Sequence, residues 1–212
     1  MVVREVVHRE YIDDERGFEY TFMPVEDTIQ VKEIADGYVV GYLVQDENYE
    51  SPDTWGGGTF LVHYHRDFWV ADDVITKDVL CAWYRWDCGM EGYKKPPEEI
   101  KPFWIFPVAA YIHGGVALAL GEGRDFPDYR WDVSHVGAIC VAKKEYRLRK
   151  SAFKAAENLL ETWNQYLCGD VYGCVIERYT KEKKQISDDA VWGYYGYKHA
   201  ISELGSQLAA VN

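Results

Sequence analysis

The stretch "LVHYHRDFW", residues 61–69, sets His63, His65 and Asp67 at every second position. On a β-strand such side chains share a face, about 6.6–7 Å apart along the backbone. Two imidazoles at that pitch can converge on one metal ion, which makes His63 and His65 the metal candidates of this chain. Asp67 would lie about 13 Å from His63 along an ideal strand. A third ligand therefore has to come from elsewhere: His113, His135, a cysteine or a carboxylate. The opposite face, Val62, Tyr64, Phe68 and Val70, is apolar apart from Arg66. A strand with a polar outer side explains the same pattern without metal, and that reading is preferred here. No cofactor is expected.

Other reactive groups are weaker signals. The five cysteines, Cys81, Cys88, Cys140, Cys168 and Cys174, are odd in number and lack CxxC spacing, so reduced, mostly buried thiols are expected. None stands in a recognisable nucleophile signature. "TWGGGTF" lacks the Lys-Ser/Thr of a phosphate-binding loop. Glu157 and Glu161, four apart on a helical pattern, share a face that can hold a cation but more simply faces solvent. No catalytic residue is assigned, and the chain reads as non-catalytic.

Charge is the more informative property. The chain of 212 residues has a net charge of −12. Its first 55 residues hold 14 acidic and 4 basic side chains. Glu10, Asp13, Asp14, Glu15, Glu19, Glu26 and Asp27 cluster there and are the candidate partner-binding residues. Such a field repels nucleic acid and attracts basic protein surfaces. The local exception is "KKEYRLRKSAFK", from Lys143 to Lys154, read as a solvated loop leading into a helix with phosphate contact as the alternative. Aromatic residues are abundant, with 8 Trp and 17 Tyr. They suit a large core or, as an alternative, an aromatic cage for a nucleotide or other small molecule.

The elements that must position these groups are short. "VVREVVHREYI", "FEYTFM", "TIQVKEI" and "GYVVGYLVQD" alternate and predict antiparallel strands over residues 1–46. A loop is expected at 47–59, then one strand over 60–70. Apolar spacing in "DDVITKDVLCAWYRW" predicts a helix whose start suits the Asp pair, strands follow at 103–112, 115–120 and 136–142, and "SAFKAAENLLETWNQYL" predicts a long amphipathic helix at about 151–168 capped by Ser151. A hairpin around "KEKKQISDD" and a short helix at 198–210 complete the chain. The expected fold is a single α+β domain, an antiparallel sheet with one long helix packed on it. No signal peptide or membrane-spanning run is visible, so the cytoplasm is the expected compartment.

Taken in order, "LVHYHRDFWV", "AAYIHGGVALALG", "RWDVSHVGAICVAKKE", "ETWNQYLCGDVYGCVIE" and "VWGYYG" resemble a family of small uncharacterised proteins encoded by bacteriophages and other mobile elements. The resemblance covers about residues 60–196. It implies a setting rather than a reaction: an acidic interaction protein that blocks a host nucleic-acid-binding or defence complex, such as a defence nuclease, by occupying a basic cleft. On this reading the protein itself does not bind nucleic acid or membrane. The residues also leave open a metal-dependent hydrolase built on the His-x-His pair.

Overall fold

The computed structural model describes residues 15–127 and 130–211. The chain is α+β, and its strands form two antiparallel sheets, each in its own compact unit. One unit combines the two ends of the chain, up to Tyr49 and from Gly169 onward; the other is Glu50–Cys168. The boundaries thus fall inside the expected loop and at the end of the long helix.

In the first unit, β1 (Gln30–Ile34), β2 (Gly37–Gln45), β8 (Val171–Thr180) and β9 (Gln185–Tyr195) lie in that spatial order. β2 is apolar almost throughout because both of its faces are covered. Val39 and Leu43 pack with Ala200, Leu204 and Leu208 of helix α3 (Tyr197–Ala210). Val40, Tyr42 and Val44 pack with Phe18 and Tyr20 on the other side. Gly41 lets the helix close in: a Cβ there would meet Leu208 Cδ1 at 2.8 Å. The expected β8–β9 loop is shorter than its polar composition suggests. Only residues 181–184 turn, with Lys183 at φ 61°, and "QISDD" belongs to β9.

In the second unit the order is β4 (Phe68–Val70), β3 (Thr59–His65), β7 (Val133–Ala142), β5 (Phe103–Ile112) and β6 (Val116–Leu120). Helix α2 (Arg149–Cys168) covers one face, setting Ala152, Ala156 and Trp163 against Leu61, Phe106, Val108 and Ile139. Helix α1 (Lys77–Asp87) covers the other, setting Leu80 and Trp83 against Val62, Tyr64, Ile105 and Cys140. Small alanines on α2 allow close approach while Trp163 fills the space beyond them.

Two capping expectations are corrected. Thr76, not the Asp pair before it, caps α1 by accepting from the Val79 N–H, while Asp72 Oδ1 accepts from Val74 and Ile75 in the preceding turn. Helix α2 begins at Arg149, and the Ser151 hydroxyl donates back to the Leu148 carbonyl at 2.9 Å instead of receiving an N–H. Gly169 ends α2 at φ 72°, as the Cys168-Gly169 pair leads one to expect.

Candidate partner-binding surface

Residues 15–29, which lead into β1, form a strap across the first sheet. Phe18, Tyr20 and Phe22 alternate inward, as expected of "FEYTFM". Apart from a single bridge at Glu19 no strand ladder forms there, because the Thr21 and Phe22 N–H groups donate to the Glu177 and Tyr42 side chains instead. Phe18 meets Tyr179 edge-on at 4.8 Å, Tyr20 meets Tyr42 at 5.2 Å, and Phe22 meets Trp192 at 5.5 Å. The alternation that buries these rings turns Glu19 and Met23 outward.

Glu177 organises the attachment. It lies in β8 between Val175 and Tyr179, on the face the strap covers, and has no solvent exposure. Its Oε1 accepts from the Thr21 N–H at 2.8 Å, the Tyr42 hydroxyl at 3.0 Å and Gln185 Nε2 at 3.1 Å. The Tyr179 hydroxyl lies between Glu177 Oε2, at 2.5 Å, and the Glu19 carbonyl, at 2.7 Å. Gln185 also donates to Thr21 Oγ1, and Lys183 Nζ donates to the Arg16 carbonyl. A buried carboxylate is costly unless donors surround it, and here they come from both strap and sheet. Burial, then the neighbouring Glu177, hold the Tyr42 and Tyr179 phenols above their ordinary range, so both stay protonated donors.

The strap is tied a second time just before β1 begins. Val25 N–H donates to the Leu43 carbonyl at 2.8 Å, and Thr28 Oγ1 accepts from the Leu43 N–H at 3.1 Å. A turn closes between them, Thr28 N–H to Val25 O, with Glu26 and Asp27 exposed at its tip. Asp27 has φ 60°, a left-handed conformation that Asp and Asn tolerate better than most residues.

Of the seven acidic candidates, Glu15, Glu19, Glu26 and Asp27 are exposed on this strap. Glu10, Asp13 and Asp14 lie outside the described residues. Glu177, the carboxylate that holds the strap, escaped the reading of the sequence. Its signal was there: in "VIERY" it occupies an inward position between two apolar ones.

The His-x-His stretch is rearranged. Residues 61–69 are not one strand but a tight hairpin, with His65 opposite Phe68 and only Arg66-Asp67 turning. Asp67 therefore leaves the face of His63. The expected polar outer side is also overturned for His63, which has no exposure because its face is the one α2 covers. His63 Nδ1 donates to the Phe68 carbonyl at 2.9 Å, since a carbonyl only accepts. Its Nε2 is buried without a partner among the described residues, over Gly137, where a Cβ would fall 2.1 Å from His63 Cδ2. Burial, chiefly, and the nearby His65 hold the imidazole below its usual pKa, against the hydrogen bond to Phe68. His65 Nδ1 accepts from the Asp67 N–H at 3.1 Å. Each ring thus uses Nδ1 within its own hairpin. Among the described residues no three His, Cys, Asp or Glu side chains gather with metal-holding geometry.

Burial raises the Cys140 thiol and pushes that of Cys174 up to about 11, away from thiolate chemistry. Part of the basic segment covers aromatic rings. Lys143 Nζ stands 5.0 Å over the Trp104 ring and donates to the Lys101 carbonyl, and Arg149 lies 5.3 Å from the Phe106 ring.

The described structure is that of an α+β protein with two helix-backed antiparallel sheets, one of them carrying an acidic strap. In comparisons with protein-family models, curated proteins and solved structures, nothing matches the chain.

Proposed function

We propose that this is a non-catalytic binding protein of a bacteriophage or other mobile element, acting in the bacterial cytoplasm. It inhibits a host nucleic-acid-binding or defence complex by presenting carboxylates to a basic cleft. The observation that supports this reading is the strap: Glu15, Glu19, Glu26 and Asp27 are exposed on a segment whose backbone is bonded at Arg16, Glu19, Thr21, Phe22, Val25 and Thr28. Carboxylates on a backbone already held in place lose little conformational freedom on binding. Clefts that bind nucleic acid draw most of their affinity from phosphate charge, for which fixed carboxylates can substitute. No helix among the described residues is long and apolar enough to cross a membrane.

The test is capture of host proteins by the full chain and by a variant with Glu15, Glu19 and Glu26 changed to Lys and Asp27 to Asn. Asn is used because φ 60° disfavours Lys there. The expected result is a basic partner retained by the unaltered chain at low salt and lost by the variant. Equal retention by both refutes the reading.

A further inference from the structure

On the second unit, one side of α2 and the edge strand β6 enclose a shallow groove of about 550 Å³. Its floor is apolar, formed by Leu120, Phe153 and Leu160, with Phe153 42% exposed. A second hollow of about 580 Å³ continues from Leu120 past Glu122, Gly123 and Asp125 to Phe126. The rims are acidic. Glu157 and Glu161 line the helix side, Glu122 and Asp125 the other. Glu157 is paired with Lys154 at 3.5 Å and Glu122 with Arg124 at 2.5 Å. Glu161 and Asp125 make no ion pair among the described residues, leaving two carboxylates facing solvent across an apolar floor.

The edge strand itself is closed at its centre. Asn164 of α2 accepts from the Leu118 N–H at 2.8 Å and donates to the Leu118 carbonyl at 3.0 Å. One side-chain amide thus takes both bonds that a neighbouring strand residue would make. This guards β6 against edge-to-edge pairing with a second copy, which the net charge of −12 also opposes. An occupant is therefore held through side chains set into the hollows.

We propose that this groove binds an extended segment of a partner protein in which cationic side chains alternate with apolar ones. Period-two alternation sends apolar side chains to the floor while Lys or Arg reach the rims. Length selects a peptide over a small cation: Phe153 and Cys168 lie about 22 Å apart along the helix axis, the span of about seven extended residues. Shallow relief suits side-chain insertion better than enclosure of a compact ligand. This surface belongs to the unit that does not carry the strap, so the inference does not depend on the proposed function.

The test titrates the isotope-labelled full chain with a short capped peptide alternating lysine and valine, followed by amide chemical shifts. Shifts are expected within Val116–Leu120, Phe153–Cys168 and residues 121–126. A Glu161→Lys, Asp125→Lys variant, altered only at exposed positions, should bind about tenfold more weakly or worse. The same peptide with glutamate for lysine should not bind, and the strap variant described above should bind as the unaltered chain does. The proposal is overturned if the lysine peptide causes no shifts or shifts the strap instead. It is overturned equally if the double variant binds with undiminished affinity.

Discussion

Glu177 and His63 are both fully buried on a sheet, one in each unit, and their surroundings differ in kind. Glu177 receives its donors from Thr21, Tyr42, Tyr179 and Gln185, residues drawn from the strap and three strands. His63 has partners only within its own hairpin, the Phe68 carbonyl and the His65 N–H beside its Nδ1, and its second nitrogen has none among the described residues. The carboxylate with a full set of donors therefore ties distant segments together. The half-satisfied imidazole shapes only its own hairpin and carries a standing desolvation cost. A buried polar group organises tertiary structure to the extent that its partners are remote in sequence.

The largest effect expected is at Glu177. Glu177→Leu leaves four donors facing an apolar side chain, and a loss of about 3–5 kcal/mol in urea unfolding is expected. Hydrogen exchange over residues 18–22 should accelerate beyond that of the rest of the sheet. Glu177→Gln keeps an acceptor oxygen and should lose clearly less. If the two variants unfold alike, the carboxylate is not what holds the strap.

Next comes Gly137→Ala, which sets a methyl against the His63 ring and should cost about 2–3 kcal/mol. The same substitution made together with His63→Ala should cost little, because the clashing ring is gone. That non-additivity, read from a double-mutant cycle, locates the strain at this one contact.

Acid should act on the second unit through His63. The His63 pKa lies below 6.5 in the folded state. Above pH 6.5 both folded and unfolded forms are neutral there and stability is undiminished. As pH falls through 6.5 the unfolded chain takes a proton that the native ring refuses, so stability declines by at most about 1.4 kcal/mol per pH unit. Between pH 7.5 and 5.5 the melting temperature of the unaltered chain should fall more steeply than that of His63→Leu. A constant difference would show that the ring does not titrate in this way.

The smallest effect belongs to the strap surface. Changing Glu15, Glu19 and Glu26 to Lys and Asp27 to Asn should alter unfolding stability by about 0.5 kcal/mol or less, since all four side chains are exposed. A larger loss would mean that these carboxylates serve the fold, and their removal would no longer isolate binding.

Much of the fold can be read along the chain. The alternation of "TIQVKEI" and "GYVVGYLVQD" becomes β1 and β2, and the apolar spacing from Phe153 to Leu167 becomes α2. The failures share one cause, a competition that neighbouring residues in sequence do not reveal. "FEYTFM" alternates like a strand, yet its peptide groups find Glu177 and Tyr42 before they find a ladder. The residues from Leu61 to Trp69 look like one strand because Arg66-Asp67 carries no glycine to announce a turn. His63 looks solvent-facing until α2 arrives over its face. On the site, the sequence pointed to the acidic segment but missed Glu177 and Asn164, whose roles depend on partners more than 40 residues away.

By itself the sequence determined an antiparallel α+β chain, its principal helix and the concentration of acid near its start, because periodicity and charge are local properties. Only the tertiary structure decided that the strands divide between two sheets and that both faces of β3 are covered. It alone decided that a buried glutamate fixes the acidic strap and that an asparagine closes the β6 edge. Each of these rests on contacts between segments far apart in the chain, where burial and hydrogen-bond satisfaction are settled together rather than residue by residue.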